Sequence, residues 1–180
     1  LLLPNDAIKL TPHWVYVVKR SGKRRSRLCA NGSKRAAPIL HSIASTYSSC
    51  VEQPIQRLFL GMSVALELIL FGADIIDAFA HSPSTGVETY LTIDDAYYDW
   101  YLQKFGKKIN RKFVLPIRMS LQGSPTAGRN FMKTMDHILL QRMGFKTTTH
   151  NRCVYFKIHE NEPVFLLRQV DDILLSLIHI

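Results

Sequence analysis

The sequence predicts an α+β fold in which antiparallel hairpins alternate with helices, and three observations carry that expectation. Trp14-Val15-Tyr16-Val17-Val18-Lys19-Arg20 is β-branched and aromatic, meets the turn pair Ser21-Gly22 and resumes at Arg24 to Ala30, the pattern of a hairpin with a basic tip. Towards the other end, Pro163 to Leu167 and Ile173 to Ser176 are short apolar runs on either side of Asp171-Asp172, which reads as a buried hairpin with acids at its turn. Between these hairpins, residues 54–71 and 124–143 carry helical periodicity or helix start and stop signals.

Taken in chain order, each element has a local reason. Residues 31–53 are rich in Ser, Ala and Asn and read as loop with short helical pieces. Pro54 suits a first helical turn, and Ile55, Leu58, Phe59, Met62, Leu66, Ile69 and Leu70 recur at helical spacing up to Gly72. Ala73-Asp74-Ile75-Ile76-Asp77-Ala78-Phe79 reads as a strand with an acid at its start, and Tyr90 to Ile93 as another. Asp94 to Phe105 is expected to be a helix, with aspartates at its positive end and Gly106 as its stop. Its aromatics Tyr97, Tyr98, Trp100 and Tyr101 suit local packing and could also stack on bases. Lys112 to Arg118 reads as an edge strand because of Pro116. Ser124 as N-cap and Pro125 at the first position open a helix that Gly144 ends near Met143, and the preceding Gly123 lets backbone approach a ligand closely. Cys153 to Ile158 is a strand, and Glu160-Asn161-Glu162 a turn into the acidic hairpin.

At 180 residues and 47% apolar content, the chain can bury one sizeable core or two small lobes, and disorder is excluded. The net charge of +9 is concentrated: residues 1–35 hold nine Lys or Arg against Asp6 alone. Such a cluster suits phosphate backbones, anionic lipid or acidic protein, and without a basic amphipathic helix phosphate is the favoured partner. Three cysteines without a C-x-x-C spacing argue against a disulfide scaffold or zinc finger and point to an intracellular, reducing compartment. His150, Cys153 and His159 form only a partial zinc pattern. The longest apolar run, Leu58 to Phe71, is interrupted by Glu67 and is too short to cross a bilayer, so no membrane partner is expected. The chain starts at Leu1 and ends in strand-like Ile173 to Ile180, which leads us to expect a piece of a longer polypeptide.

The adjacent acids invite chemistry. Two carboxylates in apolar surroundings lose hydration and repel each other, and a bound Mg²⁺ ion, which takes one or two carboxylates and completes its shell with water and phosphate, would relieve both penalties. A solvated Asp-Asp turn is the alternative.

The order of these motifs resembles the reverse transcriptase domain of Ty1/copia-type LTR retrotransposons. Trp14 to Arg20 is similar to that family's opening strand, and Arg25-Ser26-Arg27-Leu28-Cys29-Ala30-Asn31-Gly32 to its Lys-Ala-Arg-Leu-Val-Ala-Lys-Gly segment. Asp74-Ile75-Ile76-Asp77-Ala78-Phe79 resembles the first catalytic motif, Ser120-Leu121-Gln122-Gly123-Ser124-Pro125 the second and Gln169-Val170-Asp171-Asp172 the third, with Gln169 where the family has Tyr. The resemblance implies a right-hand polymerase with fingers and palm, an antiparallel palm sheet backed by helices, and no thumb. Residues 1–53 would form the basic fingers hairpin and loop, and 54–180 the helix, palm motifs and intervening helices. It further implies RNA-directed DNA polymerisation with two Mg²⁺ ions, or Mn²⁺ in their place, acting on dNTPs and a primed RNA or DNA template. In that reading Asp74 and Asp171 ligate the metals, Asp172 assists and the Ile75 carbonyl adds a ligand. Lys23, Arg25 and Arg27 neutralise the triphosphate, Phe79 rejects a 2′-hydroxyl, Gln122 and Gly123 contact nucleotide and template, and Gln169 meets the primer. Integrase and RNase H segments of a parent polyprotein are the implied partners.

Two other classes compete. A decayed element could keep the basic face as a non-catalytic nucleic-acid-binding remnant. A metal-dependent nuclease would need a hydrolytic base, and His81, close in sequence to the first acid motif, reads as a turn residue.

Overall fold

A computed structural model describes residues 3, 7–41, 46–84 and 86–177. In chain order its elements are β1 (Ile8–Leu10), β2 (Pro12–Val18), β3 (Arg24–Ala30), α1 (Gln53–Ala65), β4 (Ile69–Asp74), β5 (Thr89–Thr92), α2 (Asp95–Phe105), β6 (Val114–Pro116), α3 (Ala127–Asp136), β7 (Lys146–Thr147), β8 (Val154–His159), β9 (Glu162–Gln169) and β10 (Asp172–Leu177). Short 3-10 turns occupy Pro38–His41 and Ala78–His81. The fold is mixed α+β, and the chain divides into two compact units, Leu1–Tyr47 with Phe79–Asn130, and Ser48–Ala78 with Phe131–Ile180. Among the described residues no helix is long and apolar enough to cross a membrane, and all three cysteines are free thiols.

In the first unit, β2 and β3 pair antiparallel from Pro12 opposite Ala30 to Val18 opposite Arg24. Gly22, at φ +76°, turns the chain between them, its N–H donating to the Lys19 carbonyl at 2.8 Å. A two-stranded ribbon has no third layer to cover it, so Tyr16, Val17 and Val18 stay exposed beside the cations. Only its base joins a core, where Leu28 and Ala30 pack with Leu10, Ala37, Leu40 and Leu91. A second sheet has the order β1-β5-β6, with β1 and β5 parallel and β6, which contains Pro116, on the edge. Helix α2 starts as expected: Asp94 caps it by accepting from the Tyr97 N–H at 2.8 Å, and Gly106 in the left-handed region ends it. The other oxygen of Asp94 accepts from the Trp14 indole at 2.7 Å and so ties the helix start to the ribbon.

The second unit is built on a five-stranded antiparallel sheet of order β4-β10-β9-β8-β7. Phe59 of α1 packs with Val51, Cys153 and Leu167, and Ser63 of α1 shares a buried hydrogen bond of 2.8 Å with Ser176 of β10. Two expectations are corrected here. The helix stops at Ala65 rather than before Gly72, because Glu67 at φ +54° closes a Schellman motif: the Leu68 N–H donates to the Ser63 carbonyl, and the Glu67 N–H to the Val64 carbonyl. Ile69, Leu70 and Gly72 therefore belong to β4, which puts Asp74 at the end of a strand instead of its start, and residues 75–79 form turn and 3-10 structure.

The other long helical segment is also modified. Ser124 opens a turn, accepting from the Ala127 N–H at 3.1 Å, and α3 begins two residues later than its sequence signals suggest. After Asp136 it continues as a π-helix through Arg142, and Gly144 at φ +70° ends it. Glu160 and Asn161, both at positive φ, make the two-residue turn between β8 and β9. The end of the expected Ile173 to Ile180 strand, beyond Leu177, lies outside the described residues.

Candidate active site

The acidic hairpin forms as its sequence indicates, with a two-residue turn, Val170-Asp171, between β9 and β10 and Gln169 opposite Asp172. Val170 is held at φ +58°, unusual for a β-branched side chain, which marks the turn as locally strained. On its other side β10 pairs with β4, and the register sets Asp172 directly opposite Asp74. The Ile75 N–H donates to the Asp171 carbonyl at 3.0 Å, so Asp74 and Asp172 form a non-hydrogen-bonded pair, the kind in which facing side chains come closest. Two residues 98 positions apart in the chain thus present carboxylates on one face of the sheet.

The setting is less buried than the apolar sequence suggests. The interior part of β9 is Leu166 to Arg168, while Asp171 is half-buried and Asp74 and Asp172 are exposed. Water therefore offsets part of the repulsion between the facing carboxylates. The open cavity beside them, about 430 Å³, is lined by both aspartates together with Gln169, Gly72, Ala73 and Leu174. The donor set consists of hard carboxylate oxygens, and two facing carboxylates satisfy the usual protein share of a Mg²⁺ shell. Among the described residues no three His, Cys, Asp or Glu side chains converge closely enough to hold an ion together. Asp172 rather than Asp171 is the partner that the register sets against Asp74.

Gln169 is half-buried, and its amide oxygen accepts from the Val51 N–H at 3.0 Å, so that end of the side chain fastens the segment before α1. In the first unit, Arg25 and Arg27 of β3 lie opposite Val17 and Val15, on one face of the ribbon by strand alternation. Lys23, in the turn, is exposed like both arginines. Phe79 is half-buried in the 3-10 turn that His81 ends. The Gln122 carbonyl accepts from the Ala30 N–H at 2.7 Å. Gly123, at φ +87°, brings its Cα so close to Ala30 that an added Cβ would lie 2.2 Å from the Ala30 carbonyl oxygen. The close approach that its position suggested is thus made to this chain's own backbone.

Sequence reasoning passed over one charged group, Arg168, in the apolar run before the acids. Its side chain is 1% exposed. Its Nε donates to the Tyr155 hydroxyl at 3.4 Å, and that hydroxyl donates to Asp136 at 2.6 Å, so a buried tyrosine links a cation on β9 to an anion at the junction of α3 with the π-helix. Both terminal guanidinium nitrogens lack a hydrogen-bond partner among the described residues. Burial, and then the hydrogen bond to Asp136, raise the Tyr155 pKa above its ordinary value, and burial raises that of the Cys153 thiol. An arginine inside a strand of otherwise apolar residues was the available signal.

Compared with known proteins, the chain is 27% identical over 179 residues to the Retrovirus-related Pol polyprotein from transposon TNT 1-94 of Nicotiana tabacum. The match covers 96% of this chain and 13% of that polyprotein, a distant relation to a Ty1/copia-type Pol polyprotein over nearly the whole sequence. No family model and no solved structure matches.

Proposed function

We propose that the chain is the fingers-and-palm part of a copia-type reverse transcriptase, an RNA-directed DNA polymerase that extends a primer 3′-hydroxyl with dNTPs. The observation that carries this reading is the pairing of Asp74 with Asp172 beside the Asp171 turn, on a chain related along its length to a transposon Pol polyprotein. Asp74 and Asp172 are the facing pair to hold Mg²⁺, or Mn²⁺ in its place, and the family resemblance adds Asp171 from the adjoining turn. When bound, the ions supply Lewis-acid stabilisation of the charge that develops in phosphoryl transfer. The exposed Lys23, Arg25 and Arg27 bind phosphate as cations on an open ribbon, and Phe79 is the candidate for excluding a 2′-hydroxyl. Because the Gln122 carbonyl is bonded to Ala30, nucleotide contact at this position falls to the Gln122 side chain. Gln169 can meet a primer only with the part of its amide not bonded to Val51.

The test is primer extension on an RNA template by the parent polypeptide. Asp74→Asn and Asp171→Asn should abolish nucleotide addition while the fold is kept, because the first change also removes a like-charge opposition. Substantial extension by either variant would overturn the assignment. The second reading, a non-catalytic nucleic-acid-binding remnant, draws on the lack of a three-carboxylate cluster among the described residues. Salt-sensitive duplex binding by a parent polypeptide that adds no nucleotide in either Mg²⁺ or Mn²⁺ would favour it.

A further inference from the structure

We infer that the C-terminal end of α2, with the loop that follows, is a separate binding surface for single-stranded nucleic acid. Tyr97, Trp100, Tyr101 and Phe105 recur at helical spacing on one face of α2, yet no residue of this helix is buried. Tyr97 and Tyr101 are half-buried, while Trp100 is 45% exposed and Phe105 50%, so the last two are the rings that turn most surface to solvent. The rings are nevertheless ordered against one another, with Tyr101 and Phe105 at 4.6 Å between centroids, Tyr97 and Trp100 at 5.3 Å, and Trp100 edge-on to Phe105 at 6.0 Å. The Lys104 ammonium stands 5.1 Å over the Trp100 ring.

Charge selects the occupant. Lys104, Lys107, Lys108 and Lys112 put four lysines within nine residues that contain no acid, the fifth cation there, Arg111, being paired with Asp95. Of the aspartates along α2, Asp94 caps the helix and holds Trp14, Asp95 is paired with Arg111, and Asp99, exposed in mid-helix, falls by helical spacing on the face away from Tyr97 and Tyr101. A polyanion can therefore cross the C-terminal end without meeting them. Exposed ring faces beside cations suit unstacked bases joined by phosphates, whereas a duplex keeps its base faces stacked and hidden. An anionic membrane would engage the length of the helix, acidic end included, and its apolar interior would have to accept those aspartates. This surface goes beyond the polymerase reading, because it needs no metal, primer or dNTP, and failure of nucleotide addition would not bear on it.

The experiment titrates the 180-residue chain into labelled oligo(dT) of about 15 nucleotides, a length that one such site can cover. The double variant Trp100→Ala, Phe105→Ala should weaken binding about tenfold or more, and Trp100→Phe, which keeps a ring, should retain most of the affinity. Lys107→Ala with Lys108→Ala should make the log-log salt slope shallower by about 1.4, the single-strand value for two phosphate contacts. The far-ultraviolet circular dichroism of each variant reports its fold. Folded aromatic variants that bind oligo(dT) like the parent chain would overturn the inference. So would an equal loss of affinity for a duplex of the same length, or competition by poly-glutamate or phosphatidylserine vesicles as effective as that by oligo(dT).

Discussion

The Tyr155 hydroxyl stands between a buried guanidinium and a carboxylate, and its proton keeps that line of charges compatible. Because its pKa is raised in the folded chain, Tyr155 stays protonated above about pH 10, where an unfolded chain's tyrosine ionises. Its contribution to stability is therefore complete below that pH and lost progressively above it, by up to about 1.4 kcal/mol per pH unit. Cys153, raised by burial, adds a loss of the same sign that begins at lower pH. Tyr155→Phe should remove one of these two contributions and flatten the alkaline fall in urea stability measured between pH 9 and pH 11. At neutral pH the same change leaves Asp136 and Arg168 short of a partner and should cost about 2 kcal/mol. A Tyr155→Phe chain whose stability falls as steeply with pH as the parent's would show that the hydroxyl proton is not what the fold protects.

At the scale of elements, the legible parts of the fold were those whose signals are local. The Asp94 cap, the Gly106 stop, the Ser21-Gly22 turn and the acidic hairpin each depend on neighbouring residues, and each forms where its residues indicate. The end of α1 was illegible because the left-handed position of its Schellman motif is filled by Glu67, while Leu66, Ile69 and Leu70 prolong the helical repeat by accident of where β4 begins. The pairing of Asp74 with Asp172 could be expected only from the family resemblance, since no local rule sets a register between strands so far apart in the chain. The glycines show the same divide. Gly22 and Gly106 have open space around the missing Cβ, whereas at Gly123 an added Cβ collides with Ala30. Gly106→Ala should cost about 1 kcal/mol, from backbone strain alone. Gly123→Ala adds an overpacked contact to that strain and should cost about 3 kcal/mol or more in urea unfolding. Equal losses at the two positions would mean that the approach to Ala30 is not fixed.

For the molecule as a whole, the chain enters the second unit, leaves it and returns, so no single cut separates the two units. Strand β10 lies between β4 and β9 although it is the last strand of the described chain. Removing residues 172–180 should therefore do more than take away an edge: β4 loses its one sheet neighbour, and Ser63 its buried partner Ser176. The shortened chain should lose the near-ultraviolet circular dichroism of the second unit and expose its amides to rapid hydrogen exchange. Retained protection of β4 amides would contradict this. The strand order also bears on synthesis at the ribosome. Residues 69–74, with Leu70 and Phe71 exposed, have no strand to pair with until residues 172–177 have been made. Through that interval they form an uncovered sticky edge that a chaperone must shield or a second nascent chain can capture, so soluble yield should be governed by translation speed between residues 75 and 177.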